Sequence, residues 1–140
     1  MHNYTALEAA FLATTYTASE KNGTTFHLKI NEQNEAFDRF LRKKNIMTWA
    51  YVTAWNPAAR QQDDLKNIEL NRQLEQILKN LGYTYLKGFG VPPEGSTWQP
   101  EASFLILGIR QEDALQLGKK FHQAAILCGK TGEVANLIWI

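Results

Sequence analysis

The chain has one cysteine, Cys128, and no second thiol to pair with it. An internal disulfide is therefore excluded, and so is a zinc centre built on cysteines. His2, His27 and His122 stand far apart, so no metal site is expected. Charge of one sign is also missing: 15 Lys and Arg against 14 Asp and Glu leave a formal net charge of +1. That balance weighs against nucleic acid as a partner, which needs a basic surface to displace counterions. The longest apolar run, residues 102–109, falls far short of the roughly 20 residues of a membrane-spanning helix. No basic segment leads into an apolar one at the start, so no signal peptide is expected. Repeats and low-complexity tracts are absent. These absences leave a cytoplasmic protein without membrane or cofactor, forming a single domain over residues 1–140.

What is there reads as helices and strands in alternation. Residues 4–14 fit a short helix, with Leu7 and Phe11 four apart. Residues 16–21 and 24–30 flank Asn22-Gly23, the strongest two-residue hairpin signal. Residues 34–44 carry an apolar stripe, Phe37, Phe40 and Leu41, opposite Arg39, Arg42, Lys43 and Lys44. Residues 46–55 form a nearly continuous apolar run, as in a strand covered on both faces. Residues 61–81 make the longest helix, stopped by Gly82. Strands are expected at 83–89 and 102–109, then a helix at 111–123, and strands at 124–128 and 134–140. The order α-ββ-α-β-α-ββ-α-ββ predicts an α/β domain bordering on α+β, with a mixed sheet flanked by helices.

The apolar run ends in Thr53-Ala54-Trp55-Asn56-Pro57. Thr53 and Asn56 can each donate and accept, Trp55 offers a stacking face, and Pro57 fixes the chain's exit. This suits a ligand-binding strand end; the alternative is a cap in which Asn56 folds back on its own backbone. On the next helix, Asn67, Asn71, Leu74 and Leu78 recur at spacings of four, three and four, along one stripe. Two amides thus extend an apolar face, and each requires a polar partner or water opposite it. The Asn56 loop is the nearest candidate.

Trp98 and Glu101 precede the second buried strand. Glu101 could act as an acid or base, accept from ligand hydroxyls, or simply cap or pair with a cation. Gln123 closes the fourth helix beside His122, a cation favourable at a helix C-terminus. Ser103 lacks the Gly-x-Ser-x-Gly elbow of an exposed nucleophile. Cys128 lies in an apolar strand, where a thiol stays protonated. Gly129-Lys130-Thr131 imitates the tail of a phosphate loop, but a strand pattern follows instead of a helix.

The same residues, in order, carry a resemblance. Thr53 to Pro57, Asn67, Asn71, Leu74, Leu78 and Gly82 are followed by Gly88, Gly90, Trp98 and Glu101 to Leu105. Gly108-Ile109, Leu117-Gly118, Phe121 and Gln123-Ala124 complete the series. The chain resembles the bacterial "domain of unknown function 3293" family over most of its length. The resemblance implies characteristic polar positions at Asn56, Asn67, Asn71, Glu101 and Gln123, without a reaction. Two departures stand out: Pro100-Glu101-Ala102-Ser103 in place of Glu-Pro-Ser, and His122 where the family commonly has glycine.

The leading expectation is a polar, nucleotide-like or sugar-like small molecule at a sheet edge. Its wall would combine Thr53, Trp55, Asn56, Asn67, Asn71, Trp98, Glu101 and Gln123. If there is catalysis, Glu101 is the acid or base and Asn56 the positioning group. The alternative is an interaction or homodimer module, in which those residues are structural and the apolar end Leu137-Ile138-Trp139-Ile140 pairs across a two-fold axis. A third reading, single-stranded nucleic acid on the tryptophans and the 39–44 basic cluster, is disfavoured by the neutral charge.

Overall fold

A computed structural model describes residues 5–140. The elements run α1 (Thr5–Ala13), β1 (Thr15–Ser19), β2 (Thr25–Leu28), α2 (Glu35–Lys43) and β3 (Thr48–Val52). A single 3-10 turn, Pro57–Ala59, leads to α3 (Asp64–Leu81), β4 (Thr84–Val91), β5 (Glu101–Leu107), α4 (Gln111–Lys120), β6 (Ala125–Lys130) and β7 (Asn136–Trp139). This is the element order the sequence predicts, in an α/β fold. Tyr4, expected to open the first helix, lies outside the described residues.

The seven strands form one sheet in the order β2-β1-β4-β5-β3-β6-β7. Every ladder is antiparallel. The only parallel pairing among the described residues is an isolated bridge, Ile30 with Ala135. It joins the chain just past one edge strand to the chain just before the other. The Asn31 N–H donates to Ala135 O at 2.8 Å. The sheet therefore curls until its two edges touch at one point, as twisted strands do on the way to a barrel.

Period-2 alternation sorts side chains between the two faces of this curl. Trp49 and Tyr51 of β3 and Leu105 and Leu107 of β5 turn inward with Tyr16, Phe26, Leu28 and Leu127; α2 adds Phe37 and Leu41. Ala50, Val52, Phe104, Ile106 and Ile126 turn outward, under Leu74 and Leu78 of α3 and Ala114 and Leu117 of α4. Each fully buried leucine contributes about 1.5–3 kcal/mol relative to leaving it in water. Two glycines are dictated by close approach. A Cβ on Gly129 would fall 2.4 Å from the Trp49 indole, and one on Gly88 would strike the Thr17 carbonyl, where β4 crosses β1. Gly129 thus makes room for an inward-facing tryptophan.

α2 closes one end of the curl. Asn34 caps it by accepting the Phe37 N–H at 2.9 Å. The buried Asp38 carboxylate accepts the Gly132 N–H at 3.0 Å, fastening the β6–β7 turn to this helix. α1 lies across the opposite end and buries none of its residues. Its Phe11 ring meets Trp139 edge-on at 5.7 Å, and the Tyr16 hydroxyl donates to Phe11 O at 2.9 Å.

The third, fourth and second helices in the chain, α3, α4 and α2, end alike. A residue with positive φ, Gly82, His122 or Asn45, is followed by an N–H donating five residues back. α4 therefore stops short of Gln123, which the sequence pattern includes in the helix. Among the described residues, no helix is long and apolar enough to cross a membrane.

Candidate functional site

β3 also stops short of the expected span, at Val52, and the reason is the amide stripe of α3. Asn71 Oδ1 accepts the Ala54 N–H at 2.8 Å, and Asn67 Oδ1 accepts the Asn56 N–H at 2.8 Å. Two side chains from the helix thus take backbone donors that a continuing strand would give to its ladder. The Asn71 Nδ2 donates to Ala102 O at 2.7 Å, and the Thr53 hydroxyl reaches the same carbonyl at 2.7 Å. Asn67 Nδ2 returns a bond to Asn56 Oδ1 at 2.8 Å, so the two amides form a reciprocal pair. Gln62 adds its N–H to Asn56 Oδ1 and its Nε2 to Asn67 Oδ1. No fully buried side-chain nitrogen or oxygen lacks a partner among the described residues.

This network holds Asn56 in a left-handed conformation, φ 47°. Ala58 and Ala59 follow at φ 58° each, a region that costs alanine roughly 1–2 kcal/mol per residue. The loop is fastened from outside: the Ala58 N–H donates to His122 O at 2.6 Å, and Gln123 Nε2 donates to Trp55 O at 3.2 Å. His122 itself sits at φ 54°, the conformation glycine adopts without steric cost. Its place after α4 is thus set by backbone geometry, and its carbonyl rather than its imidazole makes the contact.

Held this way, Asn56 points its Nδ2 to Glu101 Oε2 at 3.2 Å. Both line a cavity of about 200 Å3 at the α1 end of the curled sheet. Thr53, Trp98 and Gln123 line it too, so five of the eight expected residues share one wall. Asn67 and Asn71 do not; they stand behind it, spent on Asn56 and on the β3 and β5 backbone. Trp55 does not line it either, and only its backbone enters the network: its N–H donates to the Thr53 hydroxyl at 3.0 Å and its carbonyl accepts from Gln123. Arg72 is bound to Glu69 on the exposed side of α3, at 2.7 and 2.8 Å.

The rest of the wall is missing from the expected set. Phe11 of α1, Tyr16, Tyr51, Ser103, Pro92 and Pro93 all line the cavity. The Tyr16 and Tyr51 rings meet edge-on at 5.3 Å, with hydroxyls donating to Phe11 O and Thr17 O. A signal for part of this group was available: Tyr51 and Thr53, and Glu101 and Ser103, are each two apart on strands. They therefore share the face of Trp49 and Leu105.

Electrostatically the cavity is uneven. Burial pushes the Glu101 carboxyl above its ordinary range, and the Asn56 bond opposes this only in part. Burial also drives the Tyr16 and Tyr51 phenols upward, so both stay neutral donors. Ser103 donates to Glu101 O at 2.9 Å rather than presenting a nucleophile. Cys128 is buried on the opposite face, its thiol pushed up to about 11. Among the described residues, no cluster of His, Cys, Asp or Glu could hold a metal ion.

The sequence model of the family described as "Protein of unknown function (DUF3293)" matches residues 52–126, more than half of the chain. The chain belongs to the DUF3293 family. The family match begins at the end of β3 and runs into β6, so it contains the whole amide network, Trp98, Glu101 and Gln123. It leaves out α1, Tyr16 and Tyr51, which close the cavity from the other side. Neither the curated proteins nor the solved structures gave a match.

Proposed function

We propose that this chain binds a small, ring-sized molecule in the cavity between α1 and the open end of the curled sheet. The observation that carries this reading is the convergence of Asn56, Trp98, Glu101 and Gln123 on one concave space. Barrel mouths and clefts of this kind, mostly apolar with a few fixed polar groups, are typical ligand sites. Here the wall is mainly Leu7, Ala10, Phe11, Pro92, Pro93 and Ile126, with the polar groups at one side. A volume of about 200 Å3 is below the roughly 300–1,000 Å3 of sites for drug-sized ligands. A nucleobase or a single sugar ring fits that scale; a whole nucleotide does not.

The polar groups differ in how much capacity they keep. Thr53 and Asn56 are engaged internally. Among the described residues, no donor reaches Glu101 Oε1 and no partner occupies Gln123 Oε1 or the Trp98 indole N–H. These three atoms form the proposed recognition edge, and Asn56 orients Glu101. The set is poor in nucleophiles, which favours binding over covalent catalysis.

The test is a thermal-shift panel of nucleobases, nucleosides and monosaccharides. A ligand-induced rise in Tm is expected for ring-sized members and lost in Ala10→Trp, which fills the cavity from α1 without touching the amide network. A rise that survives Ala10→Trp would sink the reading. A second reading, homodimerisation through β7, rests on that strand being an edge of the sheet. Against it, Leu137 and Ile138 pack on the chain's own cores and Trp139 on Phe11. Sedimentation equilibrium separates the two: a mass of 16.0 kDa across the concentration range removes the dimer.

A further inference from the structure

Among the described residues, the cavity wall holds one carboxylate and four aromatic residues, and no cation. Phe11, Tyr16, Tyr51 and Trp98 line it with Glu101, whereas no described lysine, arginine or histidine does. The titratable groups can be named element by element: Tyr16 from β1, Tyr51 from β3 and Glu101 from β5. α1, β6 and the 92–99 loop contribute none to the wall. Lys29 Nζ donates at 3.4 Å to the carbonyl of Ala13, a wall residue, from the exposed side of α1, and His122 and Arg60 lie outside the wall.

This set is selective by charge. An anion entering would lose water without gaining a counter-charge and would meet the Glu101 carboxylate. An organic cation would meet that carboxylate through Oε1, which no described residue occupies, and aromatic faces that attract positive charge. We infer that the cavity takes a compact organic cation, a protonated amine or amidine on a small apolar body, with Glu101 as its counter-ion. This deepens the proposed ligand site and rests on that reading. It also excludes phosphate-bearing ligands such as nucleotides and sugar phosphates.

A matched series isolates charge from shape: benzamidine, benzamide and benzoate, each titrated into the 15N-labelled full chain. Benzamidine is expected to move the Tyr16, Gly90, Glu101 and Ser103 amides with a Kd at least tenfold below that of benzamide, and benzoate to move none of them. In Glu101→Gln the benzamidine advantage disappears while benzamide binding persists. Should that variant fail to fold, the wild-type chain carries the same test through pH. Benzamidine affinity should rise with pH as Glu101 ionises, above the ordinary carboxylate range, with benzamide unchanged. Benzoate binding as tightly as benzamidine, or a benzamidine affinity flat with pH, would overturn the charge inference and leave the site reading intact. If none of the three moves those amides, the site reading itself falls, and the inference with it.

Discussion

The two ends of the curled sheet share strands and alternation but not contents. At one end α2 drives Phe37 and Leu41 into the curl, where Phe37 meets Phe26 at 5.3 Å and Trp49 at 5.4 Å. At the other, α1 lies over the opening with no residue buried, and a cavity remains beneath it. The inward-facing strand positions differ in the same sense. Trp49, Leu105 and Leu107 meet α2's end, whereas Thr53, Glu101 and Ser103 face α1. A helix with large apolar side chains over an apolar wall makes core. A helix rich in alanine that buries none of its residues leaves a cavity beneath it.

The largest test of this contrast is Phe37→Ala, which should cost about 3–5 kcal/mol of stability by urea denaturation. Leu7→Ala at the open end should cost less than about 1 kcal/mol, since Leu7 covers space rather than filling it. Equal losses would mean that both ends are core. Next is Asn67→Ala, which strands the Asn56 N–H and removes its reciprocal amide. A loss of about 1–3 kcal/mol is expected from the unsatisfied donor alone. The same variant should weaken ligand binding by releasing Asn56 from Glu101, while Phe37→Ala, in the fraction still folded, should not.

The helix ends provide a finer comparison. His122→Gly at the cavity end relieves a left-handed residue and should stabilise by up to about 1 kcal/mol. Asn45→Gly, in the same motif at the plugged end, should change stability by no more than a few tenths, because asparagine tolerates this region. Glu101 gives the smallest effect. Its folded pKa is raised by burial, so the folded state holds the proton more tightly than the unfolded chain. Its contribution is fully present below the unfolded carboxyl value and is lost as pH rises through the folded one. Glu101→Gln should remove that decline, and a decline unchanged in Glu101→Gln would assign it to another group.

Much of the fold was legible because its signals are local. Helical spacing in Asn67, Asn71, Leu74 and Leu78 marked both a buried stripe and a polar partner opposite it. Asn22-Gly23 and Gly82 marked a hairpin and a helix stop through backbone preference alone. The ends of β3 and α4 differ from the expected spans for a non-local reason: Asn67 and Asn71 pull the backbone of Ala54 and Asn56 out of the ladder, and His122 takes a conformation ordinarily given to glycine. Asn56, Glu101 and Gln123 could be picked out as candidate polar groups from their positions beside buried strands, but nothing local separated them from Asn67 and Asn71. Tyr16 and Tyr51 could not be joined to them, because β4 and β5 lie between their strands and only the curl of the sheet brings the two rings together.

By itself, then, the sequence determined the elements, their order, the two-sided burial of β3 and the amide stripe of α3. Each follows from propensity and periodicity within about twenty residues. Only the tertiary structure decided which amides are scaffold and which face open space. That division depends on the curl of the sheet, which brings β1, β3, β5 and β6 around one opening, and on α1, which covers the opening without filling it. Burial and hydrogen-bond satisfaction are properties of the assembled layers, and no stretch of chain carries them alone.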